Sequence, residues 1–145
     1  MTNFADQDLS GIKAAVRTIL PAGAYSFIVS ASHKEINSKP AISIKYTVIE
    51  TVGSDLPEAD WAEPGTEHDE VIFYKEDYAK YSLPKLDKLL QTAGKPFGDG
   101  ARGNVSTIIE NLQGLQIAAV IKQKKDKKPP HDLRSEVDMN SIIAG

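Results

Sequence analysis

The sequence predicts a mainly β (α+β) fold, a five-stranded barrel-like sheet with a helical insertion between strands 3 and 4. Three observations carry that expectation. Apolar residues alternate with period two in several short segments. One stretch between the third and fourth of these has leucines at helical spacing, with start and stop signals. The chain has 145 residues, 41% hydrophobic and 26% charged, enough for one domain with its own core and too few for two. Residues 1–20 read as an N-terminal leader segment and 21–145 as the single domain.

The leader reads as carrying a short helix from Ile12 to Leu20, stopped by Pro21 and Gly23. Then "AYSFIVSAS" alternates, with Tyr25, Phe27, Val29 and Ala31 on one face, and predicts the first strand. "SHKEINSKP" is polar and ends at Pro40, so it reads as a loop. "AISIKYTVIE" predicts the second strand, with Ile42, Ile44, Tyr46 and Val48 inward and Ser43, Lys45 and Thr47 outward; the two strands should form an antiparallel hairpin. "TVGSDLPEADWAEPGTEHDE" reads as a long solvated connection on which Trp61 packs against the body. "EVIFYK" is the third strand, with Phe73 inward in phase with Val71 and Tyr74 outward. In "SLPKLDKLLQTAGKP", Ser82 is a suitable N-cap, Pro84 falls in the first turn, and Gly94 and Pro96 end the helix. After the glycine-rich "FGDGARGN", "VSTIIENLQG" predicts a shorter helix, "LQIAAVIK" the fourth strand and "HDLRSEVDMNSII" a fifth.

Composition excludes several function classes. With no cysteine, disulfides, thiol catalysis and zinc-thiolate sites are ruled out. No apolar run reaches the roughly 20 residues that span a bilayer, and the first residues lack an export signal. "EHDE" (residues 67–70) has ligand-type side chains, but consecutive residues of an extended chain point to opposite sides. "GDGARG" lacks the lysine and helix of a phosphate loop, and no G-x-S-x-G elbow occurs. Neither a catalytic constellation nor a cofactor or metal site is expected, so the protein reads as no enzyme.

Charge is unevenly distributed. The net charge is −3, eight acids and no Lys or Arg lie between Ile49 and Glu70, and "KQKKDKK" (122–128) holds five lysines. Without that run the remainder would stand at −7. Taken alone, the run could be a solvated hairpin tip that resists edge-to-edge aggregation.

The order strand, strand, strand, helix, strand, strand is the plan of a five-stranded OB-fold-like barrel, in which oligonucleotides cross strands 2 and 3 between the loops joining strands 1–2 and 4–5. On that plan the lysine run occupies the second loop, and His33, Lys34 and Lys39 the first. Lys45 projects from strand 2, and the basic features should converge on one face. Single strands are held by phosphate neutralisation together with base stacking. The cations would be Lys34, Lys39, Lys45, Lys122, Lys124, Lys125, Lys127, Lys128 and Arg134. The stacking platform would be Tyr74, Tyr78 and Tyr81, interleaved with Lys75 and Lys80; Tyr78 and Tyr81 could equally staple the helix start to the barrel. Base-specific motifs are absent, and lysine far outnumbers arginine, which favours sequence-tolerant backbone contact.

The segments "LPAGAYSFIVSASHKEINSKPAISIKYTVIE", "LPKLDKLLQTAGKPF" and "NLQGLQIAAVIKQKKD" resemble small bacteriophage single-stranded DNA-binding proteins of the OB-fold class. They are also similar to phage proteins of undefined function found among replication and recombination genes. The resemblance covers most of residues 19–128 and rests on structural motifs: a G-x-Y-x-x-x-V strand, a leucine-rich helix ending in A-G, and an L-x-G strand before a basic hairpin. It implies coating of single strands during phage DNA replication or recombination, in the cytoplasm of an infected host. Replication or recombination proteins and further copies of the chain would be partners, and a membrane would not. Many such proteins end in an acidic recruiting tail, whereas "EVDMNSIIAG" is short and apolar. The rival expectations are a phage structural or assembly protein, and a host-enzyme inhibitor whose acidic 50–70 loop mimics DNA.

Overall fold

The computed structural model describes residues 19–75, 79–125, 129 and 133–145. Its strands are β1 (Gly23–Ile36), β2 (Lys39–Gly53), β3 (Glu67–Phe73), β4 (Leu115–Lys125), β5 (Leu133–Val137) and β6 (Ile143–Ala144). Two helices, α1 (Ala79–Thr92) and α2 (Val105–Leu112), separate β3 from β4. Among the described residues all strand pairings are antiparallel, in the order β3-β2-β1-β4-β5, and β6 adds to β4 beside β5. The protein is therefore mainly β, with one antiparallel six-stranded sheet and two helices among the described residues.

The alternation of the first two strands sets the core. Tyr25, Phe27, Val29 and Ala31 of β1 and Ile42, Ile44, Tyr46 and Val48 of β2 are all buried. They are joined by Ile117, Ala119 and Ile121 of β4 and by Leu86, Leu89 and Leu90 of α1. An aromatic file runs through the interior: Tyr25, Phe27, Tyr46 and His68 have successive ring separations of 5.5, 5.6 and 5.8 Å. Helix α2 starts as its sequence dictates. Asn104 is the N-cap, and its Oδ1 accepts from the Thr107 N–H at 2.9 Å, satisfying one of the orphan donors of the first turn. Asn104→Ala should cost about 1 kcal/mol of stability, read as a shift in urea midpoint at unchanged slope.

Several expectations need correction. The polar segment 32–40 is not a loop. β1 runs to Ile36 and β2 begins at Lys39, so the turn is only Asn37-Ser38, with φ of 50° and 65°. Two successive positive φ values are the signature of the tight hairpin turn whose twist matches the flanking strands. β2 also extends to Gly53, and β3 starts at Glu67, which shortens the acidic connection to residues 54–66. The phase of β3 is the reverse of that expected: Ile72 is buried and Val71 is 37% exposed, so Phe73 lies on the outer face and Tyr74 packs against the core. Ser43, expected outside, is buried. Helix α1 already includes Ala79, leaving Ser82 inside it and Pro84 beyond the first turn. The short β6 was not foreseen. The helical reading of 12–20 falls on residues that, apart from Ile19 and Leu20, lie outside the described residues. Trp61 is half-buried, with its Nε1–H donating to the Leu56 carbonyl at 2.9 Å.

The sheet edges β3 and β5 share no ladder; a carboxylate joins them. Glu70 of β3 points inward and accepts from the Val137 N–H of β5 (2.8 Å), from Lys85 Nζ of α1 (2.7 Å) and from His68 Nε2 (2.8 Å). Burial by itself would raise the pKa of this carboxyl. The bonds from His68, Lys85 and Val137 outweigh that and hold it below its ordinary value of 4.5. One side chain thus stitches a strand, a helix and the opposite sheet edge.

Candidate nucleic-acid interface

Register fixes where the basic residues stand. Lys34 of β1, Ala41 of β2 and Phe73 of β3 are directly opposed on neighbouring strands and therefore share the outer face. Lys34 is exposed, Phe73 half-buried and Ala41 buried between them. His33 lies one residue back on the other face, and its Nε2 is 2.9 Å from the Tyr74 hydroxyl, with ring centroids 6.1 Å apart. Lys39 opens β2 opposite Ile36. Just past β3, Lys75 is exposed; on the first turn of α1, Tyr81 is 76% exposed and Lys80 Nζ sits 5.1 Å from its ring centroid. Tyr78 lies outside the described residues.

The second basic feature stands elsewhere. Gly23 of β1 is opposite Ile121 of β4, so Lys122, Lys124 and Lys125 extend past the start of β1, while Lys34 is eleven residues along it. At roughly 3.3 Å per residue that is about 36 Å of strand. Convergence on one spot was expected, but the described lysines of β4 do not meet Lys34 and Lys39, because β4 runs antiparallel to β1 and carries its far end away from the β1–β2 turn.

This hairpin is also less basic than its lysine run. Lys122 Nζ lies 3.0 Å from Asp138 Oδ2 and Lys124 Nζ 2.8 Å from Glu136 Oε2, both partners following from the β4–β5 pairing. The hydrogen bond and charge of Glu136 push the Lys124 pKa up, and the bond from Lys122 holds Asp138 down. Arg134 is exposed opposite Lys124, and Lys125 is exposed as well. Lys127 and Lys128 lie outside the described residues. Between the two ends, Lys45 is paired with Glu67 at 3.2 Å on the outer face, where Asp69 adds a second acid.

Three structural features escaped the sequence reading. Phe73 is an outward aromatic beside Lys34, hidden because "VIFY" is apolar at every position and shows no phase. Glu70, inside an acidic run, looks like one more solvated charge; its only signal is the two-residue spacing from His68 and Ile72. Gln113, whose amide bonds both backbone groups of Ala31, has no sequence signal. Among the described residues no group of three ligand-type side chains could hold a metal ion, and no helix is long and apolar enough to cross a membrane. No protein-family model matches the chain, and no curated protein matches it.

Proposed function

We propose that the chain is an OB-fold-like barrel that binds single-stranded DNA without sequence preference, in phage DNA replication or recombination, by binding alone and without catalysis. The observation that carries this reading is the strand order β3-β2-β1-β4-β5 with helices between β3 and β4. That order makes β3 and β5 run in the same direction, and one bond, from the Val137 N–H of β5 to the Glu70 carboxylate of β3, links the two open edges. In such a barrel the ligand crosses strands 2 and 3 between the 1–2 and 4–5 loops.

Counted across the β3–β5 seam, the two basic hairpins bracket one surface. Val137 sits beside Glu70, so Arg134 falls near the start of β3, while Lys34 is level with Phe73 at its end. The outer face of β3 between those levels is about 20 Å long. Phosphates would be neutralised at both ends, by Lys34, Lys39, Lys75 and Lys80 at one and Lys125 and Arg134 at the other, and Lys127 and Lys128, outside the described residues, are proposed as further cations. Phe73 and Tyr81 supply the stacking faces. Lys45, Lys122 and Lys124 contribute less, because each already faces a carboxylate. Tyr74 is engaged by His33 and acts from the edge of the site.

Titration of a fluorescent thymidine oligonucleotide at several salt concentrations tests the reading. With about three to five phosphates engaged, the log–log slope should be near 0.7 per contact, and duplex DNA of equal length should bind more weakly. Absence of measurable binding at low salt would refute it. The exposed carboxylates Glu50, Asp55, Glu58, Asp60 and Glu63 favour a second reading, a DNA-mimicking inhibitor. That protein would displace DNA from a host enzyme and bind none itself.

A further inference from the structure

Below the hairpin end of this surface, a cleft of about 340 Å³ opens between the sheet and both helices. Ile42, Leu83, Leu86, Val105 and Ile108 form its apolar walls, and Tyr74 supplies an aromatic one. Close-packed interiors leave few voids larger than a water molecule. This volume instead falls at the small end of ligand pockets. The Tyr74 ring is held through its hydroxyl by His33. At the rim, the glycine-rich loop contributes Gly100 and Gly103, with φ of 77° and 80°, and their N–H groups have no partner among the described residues.

The charge around the cleft selects its occupant. Arg102 lines it, but its guanidinium is clamped by both oxygens of Asp87 (2.5 and 2.7 Å) and approached by Asp99 at 3.3 Å. That leaves a flat, neutralised plane and no free cation among the described residues lining the cleft, so a lone phosphate would gain little there. Exposed lysines with no ion pair among the described residues lie outside instead: Lys34, Lys75 next to Tyr74, and Lys80 one turn before Leu83. A neutral planar ring between flanking phosphates fits both halves of this pattern: tyrosine and guanidinium planes stack on bases, and backbone N–H groups bond to base edges.

We propose that this cleft receives one nucleobase of a bound single strand. The inference rests on the single-strand reading above and adds to it a base slot away from the outer face of β2 and β3. Val105 and Leu83 are half-buried wall residues, so Val105→Phe and Leu83→Phe each fill the slot from its margin. Each variant, after its melting temperature is checked, is titrated with a thymidine oligonucleotide and with an abasic oligomer of equal length. Loss of one stacked base should weaken thymidine binding about tenfold in both variants. The salt slope should not change, and abasic binding should equal that of the unmodified chain. If either folded variant binds the thymidine oligomer as the unmodified chain does, the slot is wrong and the strand-binding reading stands. If the unmodified chain binds neither oligomer at low salt, both fail.

Discussion

Replacing Glu70 with alanine should lower the melting temperature by roughly 10–20 °C. Removing one partner from a buried ion pair typically costs about 3–5 kcal/mol, and a domain of this size shifts by a few degrees per kcal/mol. The loss is large because one truncation strands three donors: the Lys85 ammonium, the His68 ring and the Val137 N–H. Glu70→Gln should cost less, since it keeps an acceptor and loses only the charge. The pH dependence has a definite sign. The folded-state pKa of Glu70 is depressed below 4.5, so its stabilisation is complete above that value and disappears as pH falls through the lower, folded-state one. Urea unfolding of both chains near neutral pH and near pH 3 checks this. The gap between unmodified chain and Glu70→Gln should narrow in acid, and an equal gap at both pH values would show that the carboxylate carries no such role.

Glutamine at Lys124, Lys125, Lys127 and Lys128 together should reduce the salt slope of oligonucleotide binding by about two, with a ten- to hundredfold loss of affinity at low salt. The reduction falls short of four full contacts because Lys124 is already paired with Glu136. Lys122→Gln alone should change the slope little, because the Lys122 ammonium faces Asp138. The reverse ranking, with Lys122 dominant, would mean that the cross-strand pairs open on binding and that the phosphates run along β4.

The contrast between Lys122 and Lys125 shows where sequence reading reached its limit. Counting lysines finds the basic run, but their partners Glu136 and Asp138 lie 14 to 16 residues beyond Lys122 and become neighbours only through strand pairing. The buried faces of β1 and β2 were legible because apolar and polar residues alternate at 25–31 with Ile28 the one exception, and the inward set at 42–48 is apolar throughout. In β3 alternation fails: Val71, Ile72, Phe73 and Tyr74 are all apolar or aromatic, so local pattern cannot choose a phase. Tertiary context chooses it, by requiring Glu70 inside. The stretch 32–36 reads as loop for a related reason. Its strand is solvated on both faces, and a strand without a buried face has no hydrophobic period to detect.

At Ala31, Gln113 performs the task of a missing neighbour. Its amide donates to the Ala31 carbonyl and accepts from the Ala31 N–H, the pair of bonds an adjacent chain would make, two residues before β4 begins. Further out, β1 has β2 on one side and no described strand on the other, and beyond Ala41 β3 ends as well. The remaining ribbon is a cantilever roughly 10 Å long, tipped by the turn at Asn37 and Ser38. A small rotation at its root swings the tip, and Lys39 with it, through a larger arc, so the aim of the lever is set by Gln113 on β1, the last β2–β3 pair and the His33–Tyr74 bond together.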